Sequence, residues 1–202
     1  EREEKMIIFP LLVKPENDIN SFFKEYYWAA PQKSNMATFN SNRDQGRKHA
    51  GRDLYTNPNE TVVAICDGIV LQIKEFYMGT HQVSIKHKTK DGREFIVRYG
   101  ELASNSITVK EGNPVKQKQI IGKTGFLKKE NGSAFVKRKG KILYMLHFEY
   151  FSDFLKSDLK NEHPLSNDKK PYYRRADLLD SLSILQEGYL NTFGEGKEKL
   201  FE

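Results

Sequence analysis

Length, composition and charge already limit what this protein can be. Its 202 residues suffice for one domain with a hydrophobic core and appendages, or at most for two small domains. A net charge of +6 leaves nucleic acid, anionic envelope polymers and acidic surfaces open as partners, and equally a solvated basic face with no specific partner. The single cysteine, Cys66, excludes an intramolecular disulfide framework and a cysteine-based zinc site.

The amino end begins with an apolar run from Met6 to Val13. It is too short for a transmembrane helix and is broken by Pro10, so we expect an extended arm and no stable membrane insertion. The residues before the run are acidic rather than basic, which argues against a secretory leader, although removal of a leader ahead of this sequence stays open.

An aromatic segment and a polar loop come next. Asp18 is a candidate cap for a short segment that ends at Trp28. The aromatic side chains of this segment either pack in the core or form a wall of a substrate groove, and packing is the favoured interpretation. Residues 40–46 then form a polar loop of the kind that often carries function.

From Thr61 onward the sequence has the pattern of β-strands. Apolar, β-branched runs at 61–66 and 69–76 flank Asp67-Gly68, and the runs at 81–88 and 93–99 flank Lys90-Asp91-Gly92, so both pairs predict hairpins. Further strands are predicted at 107–110, 119–124, 134–137 and 141–150, with a turn at 138–140. Many short strands with little helix predict a mainly β fold, an antiparallel sheet or split barrel.

The sequence changes character after Tyr150. It is polar and irregular as far as Pro171, and the stretch from Arg174 to about Tyr189 has the apolar spacing of a short amphipathic helix. We therefore divide the chain into an N-terminal extension packed on the core (1–38), a β core (39–151) and a C-terminal loop and helical appendage (152–202). A docking surface for a partner is the alternative interpretation of this last segment.

Two separated motifs indicate a metal site. His49 and Asp53 lie four residues apart just ahead of the β region, although this spacing alone often occurs by chance. In the last predicted strand, alternation places Met145, His147 and Glu149 on one face. Two histidines and one carboxylate form a ligand set that suits Zn²⁺ with one position open for water, which is typical of a hydrolase.

The stretch from about residue 39 to residue 150 also contains a characteristic series of sequence blocks. In order, they are KHAGRDL (48–54), VAICDGIV (63–70), VSIKH (83–87), RYGEL (98–102), VKEGNPVKQKQIIG (109–122) and LHFE (146–149). This series resembles peptidase family M23, the lysostaphin-like or LytM-type zinc endopeptidases that cut peptide cross-links in bacterial peptidoglycan. The resemblance implies an M23-like β core, a Zn²⁺ cofactor held by His49, Asp53 and His147, and peptidoglycan as the partner.

The chain departs from the family pattern at two assisting histidines. Met145 stands where the His-x-His pair of the last strand has its first histidine, and Glu101 stands where a Tyr-x-His-Leu block has its histidine. Glu101 is then expected to be the catalytic general base, whereas Met145 cannot transfer a proton. Two alternatives stay open: a degenerate M23-like domain that binds peptidoglycan or activates another wall hydrolase, and, without the resemblance, a basic β-domain that binds an anionic polymer.

Other side chains are secondary candidates for supporting the site or contacting substrate. Glu149 shares the face of His147 and can hold a neighbouring side chain by hydrogen bonding. Tyr99 and Tyr144 can donate a phenolic proton to an oxyanion. His87 shares a strand face with apolar residues, and a structural role explains it better.

Location and partners follow from the substrate class. Peptidoglycan lies outside the cytoplasm and no leader is visible, so we expect an exported antibacterial effector that acts in the periplasm or cell wall after delivery by a dedicated secretion system. An immunity protein or a secretion carrier is a candidate partner. Nucleic acid is not expected, because the lysines at 116–129 and 137–141 lack helical spacing and aromatic interleaving.

Overall fold

A computed structural model describes residues 5–157 and 174–194 of the chain. The regular elements of this part are mostly short strands. They are β1 (Arg52–Thr56), β2 (Thr61–Val63), β3 (Gly68–Glu75), β4 (Thr80–Lys88), β5 (Glu94–Ala103), β6 (Pro114–Val115), β7 (Ile120–Lys123), β8 (Lys137–Arg138), β9 (Lys141–Ile142), β10 (Tyr144–Phe151), β11 (Leu178–Leu179) and the helix α1 (Leu182–Phe193), with 3₁₀ turns at Lys24–Tyr26 and Asp44–Gly46.

One large antiparallel sheet dominates the fold. Its strand order is β1-β10-β5-β4-β3-β6, and β11 pairs with the end of β10. Two smaller antiparallel pairs, β2 with β7 and β8 with β9, lie outside it. The mainly β, antiparallel architecture expected from the sequence is therefore confirmed. No helix among the described residues is long and apolar enough to cross a membrane.

The first predicted hairpin is wrong. β2 pairs with β7 rather than with β3, and the chain between β2 and β3 is irregular, with the amide of Ala64 donating to the carbonyl of Gln119 (2.9 Å). Gly68 is not a turn residue. A Cβ at Gly68 would lie 2.5 Å from the carbonyl oxygen of Lys86, so glycine is needed here because β3 and β4 approach closely.

The other predicted elements are largely present. β4 and β5 form the second predicted hairpin, and β8 and β9 pair across the predicted turn. Residues 107–110 do not form a strand, and the predicted strand at 134–137 is reduced to β8. The helix begins at Leu182 rather than near Arg174 and ends at Phe193. Most of the polar stretch before it, residues 158–171, lies outside the described residues.

The hydrophobic core joins the sheet to both flanking segments. Phe9 and Trp28 from the amino end pack against each other at 5.4 Å between ring centroids, and Tyr189 of α1 packs against both rings. Asp18 does not begin a helix. Its carboxylate accepts hydrogen bonds from Trp28 Nε1 (3.2 Å) and Tyr189 Oη (2.6 Å). These two bonds connect the amino-terminal segment to α1 at the main hydrophobic core.

The aromatic segment serves two clusters. Trp28 belongs to the main core, whereas Phe23 belongs to a smaller buried cluster with Ala37, Tyr55 and Met145. Tyr55 lies opposite Met145 in the β1–β10 register, so this smaller cluster lies next to Asp53 and His147, the metal ligands predicted on the same two strands.

Candidate functional site

Three separated residues meet where β1 pairs with β10. Asp53 lies directly opposite His147 in the register, and the loop before β1 brings His49 next to both. His49 Nε2 lies 3.1 Å from Asp53 Oδ1 and 3.2 Å from His147 Nδ1, and His147 Nδ1 lies 2.9 Å from Asp53 Oδ1. Among the described residues, these three form the group of histidines and carboxylates that could hold a metal ion.

Backbone hydrogen bonds position His49. Its amide donates to the carbonyl of Ser41 (2.8 Å), and its carbonyl accepts from the amide of Asn40 (2.9 Å). The same carbonyl accepts a hydrogen bond from Arg174 Nη2 (2.8 Å), so the segment before α1 also supports this loop. The imidazole is therefore carried by a loop whose backbone groups are already paired.

Asp53 lies on β1, an edge strand of the large sheet, and the side chain of Asn17 covers this edge. Asn17 is fully buried; its Nδ2 donates to the carbonyl of Asp53 (2.9 Å), and its Oδ1 accepts from the amide of Tyr55 (2.8 Å). The amide of Asp53 donates to the carbonyl of Ala37 (2.9 Å). These bonds satisfy the free edge of β1. They also fix the direction of the Asp53 side chain.

The outer nitrogens of both imidazoles are already bonded. His49 Nδ1 donates to the carbonyl of Thr38 (2.9 Å), and His147 Nε2 donates to Glu149 Oε1 (2.8 Å). A neutral imidazole that donates from one nitrogen carries its lone pair on the other. When both imidazoles are neutral, as metal binding requires, both lone pairs point towards Asp53 Oδ1, the orientation that a hydrogen-bond acceptor on the far nitrogen imposes on a metal-binding histidine.

The spacing of these three atoms fits a small tetrahedral ion. Bonds of about 2.0 to 2.2 Å in tetrahedral geometry place neighbouring ligand atoms about 3.3 to 3.6 Å apart. The three observed separations, 2.9 to 3.2 Å, are shorter by only a few tenths of an ångström. The donor set and its geometry therefore fit Zn²⁺ with small side-chain adjustments.

Glu101 lies beside this cluster because the sheet is irregular there. The β4–β5 register shifts between His81 and Val83, so that two residues of β5, Gly100 and Glu101, face a single residue of β4. Glu101 adopts a left-handed φ of 59° at this bulge. Such bulges re-aim side chains, and a positive φ outside glycine is costly and is concentrated at functional sites.

The Glu101 carboxyl group is buried without a partner for one oxygen. The residue is 7% exposed, and Oε2 has no hydrogen bond. Burial, followed by the negative charge of Asp53, raises the pKa of Glu101 to about 8. A buried carboxyl group with an unused oxygen and a pKa near neutrality is suited to exchanging a proton with a ligand in the site.

The space for His147 depends on Gly100 and Phe76. Gly100 lies opposite His147 in the β5–β10 register, and a Cβ at Gly100 would lie 3.2 Å from His147 Cδ2 and 2.9 Å from the Phe76 ring. The Phe76 ring packs on the imidazole at 5.4 Å between centroids. Glycine therefore leaves room for two rings that form one wall of the site.

Charges within the cluster balance one another. Burial raises the pKa of Asp53, but His49 and His147 outweigh burial and hold the pKa well below its usual range. Burial lowers the pKa of His49. It also acts to lower that of His147, but the hydrogen bonds to Asp53 and Glu149 prevail and raise the pKa of His147 above its usual range. Asp53 is therefore an anionic oxygen donor between two imidazoles.

The secondary candidates differ in whether they contact the three proposed metal ligands. Glu149 contacts His147 directly, as given above. His87 and Tyr99 do not join the cluster: His87 Nε2 accepts from Tyr99 Oη (2.8 Å), and the same hydroxyl accepts from the amide of Ile65 (3.1 Å) inside the core. Burial lowers the pKa of His87 to about 4, so the ring is a neutral structural element. Tyr144 packs its ring on Phe126 at 5.1 Å.

Met145 has the position but not the chemistry of an assisting residue. It lies on the same face of β10 as His147, as predicted from alternation, and is 5% exposed in the cluster with Phe23 and Tyr55. A thioether packed among aromatic rings contributes shape and apolar surface.

Several residues around the site were missed in the sequence. Arg43 Nη2 lies 3.9 Å from Asp53 Oδ2, and Arg98 Nη1 lies 3.2 Å from Glu149 Oε2. Phe76 and the carbonyl of Thr38 contact the two imidazoles. Arg98 carried a usable signal, because an arginine in an apolar strand needs a buried partner. The other contacts depend on loop paths that no local pattern specifies.

Solved structures provide a fold-level comparison. The catalytic domain of the antimicrobial peptidase lysostaphin from Staphylococcus simulans is 21% identical with a TM-score of 0.49, and the match covers 75% of this chain and 90% of that chain. A zinc-containing peptidase from Vibrio cholerae is 28% identical with a TM-score of 0.40, over 57% of this chain and 32% of that one. A protein of Pseudomonas aeruginosa described as a peptidase M23 is 18% identical with a TM-score of 0.41, over 73% and 45%.

The chain thus spans less than half of the Pseudomonas and Vibrio proteins. No curated protein sequence matches it. The sequence profile of peptidase family M23 matches residues 47–153, which is more than half of the chain and includes His49, Asp53, Glu101 and His147. On this match, the chain belongs to peptidase family M23.

Proposed function

We propose that this protein is a zinc-dependent endopeptidase that cleaves the peptide cross-links or stem peptides of bacterial peptidoglycan. The observation that carries the proposal is the convergence of His49 Nε2, Asp53 Oδ1 and His147 Nδ1 beside the buried carboxyl group of Glu101. Family membership supports the peptidase class. The ligand set, the general base and the substrate are our assignments.

Each residue has a distinct task in this proposal. His49, Asp53 and His147 would hold Zn²⁺, which supplies Lewis acidity to a peptide carbonyl and lowers the pKa of water when bound. Glu101 accepts the proton of the attacking water and returns it to the leaving amine nitrogen. Its carboxyl group is buried and has one oxygen free of hydrogen bonds, which suits it to this exchange, and Phe76 shields one side of the site from solvent.

The second candidate function is a non-catalytic domain that binds peptidoglycan or activates another wall hydrolase. The observation in its favour is Met145, which stands where the resemblance implies an assisting histidine and is buried among aromatic side chains. A thioether there cannot transfer a proton. The proposed enzyme must then work with Glu101 as its sole assisting side chain.

Zinc analysis followed by digestion of purified sacculi tests these functions. The enzyme and the scaffold both predict one Zn²⁺ per chain, whereas a basic domain that binds an anionic polymer predicts no stoichiometric zinc. Release of muropeptides by the wild-type protein, and its absence in His49→Ala, would support the enzyme. Stoichiometric zinc without release from sacculi of any tested wall chemistry would favour the scaffold.

We also propose the segment boundaries and the delivery route. In this proposal, residues 39–151 form the peptidase core, with residues 1–38 and 152–202 as appendages. The protein is an exported effector whose binding partner is an immunity protein or a secretion carrier. Expression in the cytoplasm should then be harmless, and expression with a periplasmic leader should lyse cells. Equal toxicity in both compartments would count against the proposal that the protein is an exported effector acting outside the cytoplasm.

A further inference from the structure

Two rows of side chains cross the same face of the large sheet. The strand registers place Asp53, His147 and Gly100 side by side in the row of the candidate metal site. The next row, two residues along β10, consists of Gln72, Ser84, Arg98 and Glu149. The second row therefore lies directly beside the first, and Glu149 is its nearest member to His147.

Three of the four polar residues in the second row are buried. Ser84 is 0% exposed, Arg98 1% and Glu149 4%. Removing a guanidinium and a carboxylate from water is costly, and apolar residues of similar volume often give equal or better stability. Fold stability alone is therefore a weak explanation for the burial of this ion pair.

The contacts show what the pair can do. The two oxygens of Glu149 are divided: Oε1 accepts from His147 Nε2 (2.8 Å), and Oε2 lies 3.2 Å from Arg98 Nη1. A carboxylate bound at one oxygen can still rotate about its last bond, whereas a carboxylate bound at both cannot. The guanidinium is itself confined, because it packs near the rings of Phe76 (5.9 Å) and Phe151 (6.0 Å).

From this chain of contacts, we infer that Arg98 is a positioning residue of the metal site: through Glu149 it holds the His147 ring so that Nδ1 faces Asp53. The inference rests on the proposed function, since it concerns the same metal site. Arg98 touches neither substrate nor metal in this scheme. Its effect should appear in the zinc affinity, because loss of a residue that orients a metal ligand typically weakens metal binding about 10- to 100-fold.

The test measures zinc affinity directly. Zinc-loaded wild-type protein, Arg98→Met and Arg98→Lys are competed against graded amounts of a chromogenic chelator, and folding is checked by circular dichroism. We expect Arg98→Met to bind zinc about 10- to 100-fold more weakly. Arg98→Lys keeps the charge without the planar fork and should lose less. Arg175→Met is the matched control, because Arg175 is a buried arginine that pairs with Asp153 and Asp177 and not with Glu149 or a proposed zinc ligand.

A double-mutant cycle then tests the route through Glu149. In a Glu149→Gln background, Arg98→Met should change the zinc Kd by less than about twofold, because the carboxylate that links Arg98 to His147 is gone. Zinc Kd values within twofold of wild type in folded Arg98→Met, or in Arg98→Gln if Arg98→Met does not fold, would overturn the inference. A wild-type protein that binds no zinc would instead refute the proposed function, so the two failures are distinguishable.

Discussion

Glu101→Gln preserves the size of a buried side chain and removes its ability to accept a proton. The backbone at this position already has a φ of 59°, and glutamine at the same φ adds no new backbone cost. Because the substitution removes the proposed general base and no metal ligand, kcat should fall by about 10²- to 10⁴-fold. Zinc occupancy should remain at one ion per chain.

The same substitution should stabilise the metal-free protein. The pKa of Glu101 is raised from 4.5 to about 8 on folding, so its contribution to stability is complete below pH 4.5 and is lost as the pH rises towards 8. At pH 7 the loss spans about 2.5 pH units, which corresponds to about 3 kcal/mol. Glutamine does not titrate, so the free energy of unfolding of Glu101→Gln should exceed that of the wild type by up to this amount.

Three measurements check this reasoning on the same preparations. Muropeptide release from sacculi gives turnover, metal analysis gives zinc occupancy, and urea unfolding after chelation at pH 5 and pH 7 gives stability. The difference in stability between Glu101→Gln and the wild type should grow from pH 5 to pH 7. Wild-type turnover in Glu101→Gln would refute the catalytic assignment. A variant less stable than the wild type at pH 7 would refute the electrostatic argument.

Three further predictions concern other residues. His49→Ala or His147→Ala should abolish zinc retention, because two ligands remain of three; full zinc occupancy by metal analysis in either variant would show that the ligand assignment is wrong. Met145→Ala should lower the free energy of unfolding by about 2 to 5 kcal/mol through a cavity beside Tyr55, with less than about a tenfold change in turnover. His87→Gln should be less sensitive to acid than the wild type. The pKa of His87 is lowered to about 4, so the wild type loses up to about 3 kcal/mol as the pH falls from 6.5 to 4, and urea unfolding across this range should show the difference.

The periodicity of the sequence was sufficient for the face of each long strand. Alternation placed Met145, His147 and Glu149 together, and the structure confirms this because β10 is a regular strand paired along its length. The hairpin of β4 and β5 followed from its turn residues. These features are local, since the side-chain direction in a strand is set by the residue's own position in the pleat.

The first hairpin shows where local patterns fail. Two apolar runs around Asp67-Gly68 have the composition of a hairpin, yet β2 belongs with β7 and β3 with β4. Strand pairing depends on which surfaces are buried together, and β2 gains burial by packing on residues 7 to 11 of the amino end. A turn signal does not report such long-range competition.

The sequence was sufficient to identify the candidate site residues, whereas the tertiary structure decides how they are arranged. The blocks around His49, Asp53, Glu101 and His147 were sufficient to name these residues. The meeting of side chains up to 98 positions apart, the bulge that turns Glu101 inward and the link from Arg98 through Glu149 to His147 exist only in the folded sheet. The physical reason is that register across strands, and not spacing along the chain, determines which polar side chains share one buried row.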